Sequence, residues 1–259
     1  MKKFKKVVPA LCALLVSAVM LGSSTYAWFS MNTQVKATGM EIKAESKSQF
    51  LQIRAGEDAF SNTDAQIDAT AKIASKNVRP TSAVKALSEN GDSVTELDAT
   101  VAAKDIKWVE AFSNNPNASD KNGKYTDVTE KITGSDTTNN VYALINTFKV
   151  RMNPTAGVTE GKNMSVTSVT IQSSNNTAND VMKKAVRVLF VCGDNWSVWT
   201  VDGAKVSSNT NILAGTVTTE ATTISVYIYF DGEDSLTTTN NATTLSTDGY
   251  KVEFVLGVA

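Results

Sequence analysis

The chain of 259 residues contains no histidine. That absence excludes Ser-His-Asp and Cys-His nucleophilic catalysis. It also removes His-ligated zinc sites and the H-E-x-x-H arrangement of metalloproteases. Acid–base work would fall to Asp, Glu, Lys or Tyr, and no spacing in the chain singles out such a pair. Cysteine is almost as scarce, with only Cys12 and Cys192. Phosphate-cradling glycine loops are missing too: there is no G-x-x-x-x-G-K-[ST], and no G-x-G-x-x-G follows a strand pattern. No catalytic residue, metal ligand or cofactor is therefore expected. The formal net charge of -1 leaves no basic stripe for nucleic acid.

What is present begins with Lys2, Lys3, Lys5 and Lys6, followed by the apolar run from Val7 to Gly22. Thr25-Tyr26-Ala27 then approximates the small-x-Ala pattern that a signal peptidase accepts. The apolar run is shorter than the roughly 18–20 residues that span a bilayer. Residues 1–27 thus read as a signal peptide cut between Ala27 and Trp28, with a signal peptidase as partner during export and no membrane segment in the mature form. Cys12 sits in mid-run after Pro9-Ala10-Leu11, which lacks the small residues of a lipoprotein site. Losing residues 1–27 removes four lysines and no acid, which moves the net charge from -1 to -5. One cysteine then remains, and one cysteine closes no intramolecular disulfide. The fold must be held by its core. The expected mature chain starts with Trp28 and Phe29, two large apolar residues at a newly made terminus.

Beyond them, hydrophobicity alternates with a period of two, the mark of strands. Met40, Ile42 and Ala44 alternate with Glu41, Lys43 and Glu45, and Leu51, Ile53 and Ala55 with Gln52 and Arg54. Later come "VYALINTFKVRM", "MSVTSVTI", "AVRVLFVC", "WSVWTV", "ATTISVYIYF" and "YKVEFVLGVA". Asp202-Gly203 after "WSVWTV" predicts a hairpin, because glycine tolerates positive φ. The stretch from about 56 to 140 is polar and weakly periodic. "TDAQIDATAKIA" reads as a short helix, and "VAAKDIKWVEAF" as a helix or a strand-like piece that holds Trp108 and Phe112 on the core. The pattern predicts an all-β fold: a two-sheet antiparallel, jelly-roll-like sandwich over residues 28–259, a single domain with an elaborated insertion at about 56–140. In/out alternation predicts one wet face on each sheet.

Four features bear on chemistry. Cys192 is in register with Val186, Val188 and Phe190, which places it on an apolar face as a small buried hydrophobe. "FDGEDS" gathers Asp231, Glu233 and Asp234 around Gly232, carboxylates of the kind that hold Ca²⁺ in a turn; the spacing is not that of an EF-hand, and an acidic turn at the end of a strand is the favoured reading over a calcium site. Trp196 and Trp199 are three residues apart in a strand and face opposite sides, so at most one is core and the other is a surface contact or is covered by the insertion. Asn-x-Ser/Thr triplets occur at Asn117, Asn195 and Asn241, as chance provides in an Asn/Thr-rich chain.

The segment "STYAWFSMNTQVKATGMEIKA" resembles the N-terminus of the TasA/camelysin family of secreted bacterial proteins, whose signals are cut by a SipW-type peptidase. Thr25-Tyr26-Ala27, the aromatic pair Trp28-Phe29 and the extended segment after it carry the likeness. The C-terminal "AVRVLFV", "ISVYIYFDGED" and "VEFVLG" look like the strand series of the same group, and residues 56–140 show no likeness. The resemblance implies a jelly-roll subunit of extracellular or cell-surface fibres in a biofilm matrix, in which an N-terminal strand of one copy completes the sheet of the next. The metallo-endopeptidase label attached to camelysin finds no histidine here to support it.

On that reading Trp28, Phe29, Met31 and Val35 belong to an assembly strand. Burying each large side chain contributes roughly 1.5–3 kcal/mol, while main-chain hydrogen bonds add to strand addition. The other reading packs these residues into their own domain. No LPxTG-like motif accompanies "VEFVLGVA", so retention at a surface is expected to need a partner. A second function class stays open: a monomeric secreted sandwich that binds carbohydrate or a host ligand through an exposed Trp and the acidic loop.

Overall fold

A computed structural model describes residues 35–37, 41–46, 51–56, 60, 68–72, 76–111, 125–134, 142–154, 161–173, 181–200, 202–237 and 250–258. Two main sheets face each other. The first runs in the order β14 (Lys205–Ser208), β13 (Asn195–Thr200), β12 (Val186–Cys192), β16 (Thr222–Phe230), β10 (Leu144–Met152) and β3 (Leu51–Ala55). The second runs β15 (Ala214–Val217), β11 (Lys162–Ser173), β17 (Tyr250–Val258), β2 (Glu41–Ser46) and β4 (Asp68–Lys72). The fold is the expected all-β sandwich. One pairing departs from the antiparallel expectation: β17 and β2 are parallel, with Val252 opposite Ile42 and Phe254 opposite Ala44. These strands lie far apart in the chain, and no hairpin dictates their direction.

The alternation read in the sequence decides which residues enter the core. Ile224, Val226, Ile228 and Phe230 point inward from β16, and Val186, Val188, Phe190 and Cys192 from β12. Val252, Phe254 and Leu256 meet them from β17. Phe254 joins the sheets, edge-on to Phe148 at 5.4 Å and to Phe190 at 4.9 Å between ring centroids. On β11 strict alternation fails between Val166 and Val169. A bulge there shifts the register against β17 and returns Val169 and Ile171 to the core.

Part of the stretch read as an insertion, residues 82–133, forms a third sheet in the order β7 (Val94–Glu96), β6 (Ser82–Leu87), β8 (Lys107–Ala111) and β9 (Tyr125–Asp127), followed by the one-turn helix α1 (Thr129–Thr133), whereas β4 of the same stretch belongs to the second main sheet. The third sheet lies on the outer face of the first main sheet, which is therefore not wet there. A second apolar cluster joins Trp108, Ile106, Val101 and Ile132 of the insertion to Leu189, Trp196, Val198 and Tyr229 of the sheet. Of the two helical expectations, "TDAQIDATAKIA" instead contains β4, where pairing with β2 overrides the helix propensity of its alanines. "VAAKDIKWVEAF" supplies a short 3-10 turn (Ala103–Asp105) and then β8, with Trp108 buried; Phe112 lies outside the described residues.

Candidate functional site

The structure locates the predicted assembly strand only at its end. Ala27, Trp28, Phe29 and Met31 lie outside the described residues. Val35 begins β1 (Val35–Ala37), which pairs with β5 (Lys76–Val78) in a two-stranded sheet of its own, Val35 opposite Val78. Val78 is buried in the main core. Among the described residues, neither main sheet uses a strand that precedes Glu41.

The acidic turn occupies the junction between the insertion and the sandwich. Arg187 stands on the outer face of β12, only 12% of its side chain exposed. Its Nη2 donates to Asp234 Oδ2 at 2.6 Å, and its Nε lies 3.5 Å from Asp231 Oδ2. Nη1 donates to the carbonyls of Lys184 and Val186. The hydroxyl of Ser82, from β6, donates to Asp231 Oδ1 at 2.7 Å, and the backbone N–H of Glu233 donates to both Ser82 Oγ and Asp231 Oδ1. Asp231 and Asp234 thus spend their acceptor capacity on a guanidinium, a hydroxyl and backbone N–H groups. This is a structural turn that clamps β6 to β12, and among the described residues no group of three or more His, Cys, Asp or Glu is arranged to hold a metal ion.

Beside the clamp a cleft of about 260 Å³ opens between β6 and β7 on one side and β13, β14 and β16 on the other. Arg187, Asp231, Glu233 and Tyr229 supply its polar lining; Val84, Leu97, Val198 and Val206 supply apolar walls, and Glu96 reaches it from β7. Burial pushes the Tyr229 phenol above its ordinary value, and the Asp231 carboxylate adds to the effect. Tyr125 is pushed up to about 12 by burial and then by the carboxylate of Glu233, to which it is hydrogen-bonded.

The remaining candidates prove to be packing residues. Trp196 is fully buried beneath the insertion, its Nε1 donating to the Val101 carbonyl at 2.8 Å. Trp199 faces the other way, into the main core, and donates to Ser197 Oγ. Neither tryptophan is a surface contact. Cys192 is 7% exposed in the main core, and burial raises its thiol pKa. The side chain of Asn195 donates to the Leu213 carbonyl; Asn117 and Asn241 lie outside the described residues. Sequence reasoning missed Arg187 and Ser82. The signal for Arg187 was available: a lone guanidinium inside "AVRVLFVC" needs a carboxylate partner if it is buried, and "FDGED" is the acid-rich segment at the end of a neighbouring strand. Comparison with protein-family models, with curated proteins and with solved structures yields no match to this chain.

Proposed function

We propose that the chain is a secreted structural protein, a subunit of extracellular or cell-surface fibres in a bacterial biofilm matrix, assembled by donation of the segment from Trp28 to Lys36 to a neighbouring copy. The observation that carries this reading is the strand inventory. Among the described residues both main sheets are built from Glu41 onward, which is compatible with a segment before Glu41 serving a neighbouring copy. Among the described residues its last residues pair with the three-residue β5. The pairing is only three residues long, and exchanging it for a partner's strand gives up few main-chain hydrogen bonds. Phe29, Met31 and Val35 share one face of a regular strand, and a strand with such a face suits addition to another sheet's edge.

The alternative of a monomeric carbohydrate-binding module is weakened by the burial of Trp108, Trp196 and Trp199. An enzyme is not favoured: the sequence holds no histidine, and the one cysteine in the sandwich is buried with a raised pKa. Electron microscopy of purified protein that begins at Trp28 tests the proposal. Filaments are expected; uniformly dispersed single particles across a wide concentration range would contradict it.

A further inference from the structure

We propose that the cleft between the insertion and the first main sheet binds an alkylammonium or alkylguanidinium group, the kind of head and stem that a lysine or arginine side chain carries. The inference does not rest on fibre assembly. Three observations support it.

The first is charge. The lining holds one cation, Arg187, against the carboxylates of Asp231, Glu233 and Glu96. Arg187 is already engaged by Asp231, Asp234 and two carbonyls, so it is not available to an incoming anion. A pocket walled by low-dielectric side chains focuses the remaining negative field and raises the local concentration of cations. Lys85, on the same strand as Val84, is held by Asp98 and Thr100, and Lys205 of β14 donates to Asn211. Neither lysine lines the cleft.

The second is Tyr229. It is only 4% exposed, it lines the cleft, and its hydroxyl has no hydrogen-bond partner among the described residues. Its oxygen is not one of the fully enclosed, unpartnered polar atoms; it is reached from the cleft. Burial and the neighbouring Asp231 keep this phenol neutral, so its oxygen can accept from an ammonium or guanidinium N–H. The third is the apolar half of the lining. Val84, Leu97 and Val198 give a short methylene stem a surface to cover. Val206 at the cleft, 57% exposed, is the most exposed large apolar side chain among the described residues. A bare inorganic cation would leave that surface wet, and an anion would meet the carboxylates.

The test is a titration of the purified chain, followed by the backbone resonances of Tyr229, Val206 and Glu96. The probes are acetyl-Ala-Lys-Ala-amide, the same peptide with norleucine in place of lysine, and pentylammonium. Saturable shifts with lysine peptide and pentylammonium, and none with norleucine peptide, are expected. Glu96→Gln, a change at an exposed position, should weaken lysine binding several-fold without altering the fold, and Glu233→Gln should do so more strongly. Tighter binding of the peptide than of pentylammonium would assign the cleft to a protein side chain, and equal binding to a free amine; both uphold a cation site. Equal shifts from the lysine and norleucine peptides, no saturable shift from any probe, or lysine binding unchanged in Glu96→Gln would overturn it.

Discussion

The indole of Trp108 meets the ring of Tyr229 edge-on, with centroids 5.0 Å apart and planes at 81°. Trp108 belongs to the insertion and Tyr229 to the outer face of β16, so this contact ties the third sheet to the sandwich. Trp108 is also 5.5 Å from Tyr227. Replacing it with alanine removes a buried side chain at the centre of the second cluster and should cost about 3–5 kcal/mol. Hydrogen exchange locates the damage. Amides of β6 and β8 should lose protection, while those around Phe148 and Phe254, in the separate main core, keep theirs. Equal loss in both places would mean that the insertion and the sandwich unfold as one unit.

Much of the main core was legible in the sequence, because a half-buried strand writes its facing into alternate residues. Ile224, Val226 and Ile228 lie where the period of two places them, as do Val252, Phe254 and Leu256. The covered outer face was misread from the same strands. Tyr227 and Tyr229, Leu189 and Val191, and Trp196 and Val198 make those strands apolar on both sides, which is the pattern of a sheet buried on both faces. The cover itself was hard to see. Its strands are short, and some of their outward residues, such as Glu96 and Thr126, are exposed. β4 was misread because its strand form comes from pairing with β2, some way back in the chain. The clamp and the cleft join Ser82, Arg187 and Asp231, residues brought together by topology rather than by spacing.

Arg187 offers a second prediction. Changing it to alanine leaves Asp231 and Asp234 without their shared cation in a largely buried setting. Loss of one partner of such a pair costs on the order of 3–5 kcal/mol. Arg187→Lys should rescue little, because an ammonium cannot span both carboxylates and the two carbonyls in the plane that the guanidinium uses. Denaturant unfolding measures both variants. A loss under about 1 kcal/mol for alanine, the range of an exposed ion pair, would show that the clamp contributes nothing special.

Tyr229 and Tyr125 set the alkaline limit. Both phenols have folded-state pKa values above the ordinary value of 10.0, Tyr229 through burial and Tyr125 at about 12. A raised pKa favours the protonated form in the folded state. The corresponding stability is fully present below about pH 10 and is lost as pH rises through the folded-state values. The denaturation midpoint should therefore fall above about pH 10, and tyrosinate absorbance should show phenols that ionise only with unfolding. Full ionisation of every tyrosine near the ordinary value, in protein that remains folded, would contradict the placement of these rings.

Cys192 should react slowly with thiol reagents. Its side chain faces the sandwich core and burial disfavours the thiolate, which is the nucleophilic form. Labelling of the folded protein is expected to run far behind labelling in denaturant. Equal rates would place the thiol at the surface.

The proposed assembly is tested most directly by the thermal stability of protein that lacks Trp28 to Lys36, measured with and without the missing segment as a peptide. A sandwich built from Glu41 onward should fold, stay monomeric and present a vacant groove. Added peptide should then raise its melting temperature in a concentration-dependent way, because binding to the folded state alone stabilises it by mass action. Peptide carrying Phe29→Asp and Met31→Asp should have no effect. A deleted chain that is grossly unfolded and not rescued by the peptide would show that the strand belongs to its own domain, and would contradict strand donation.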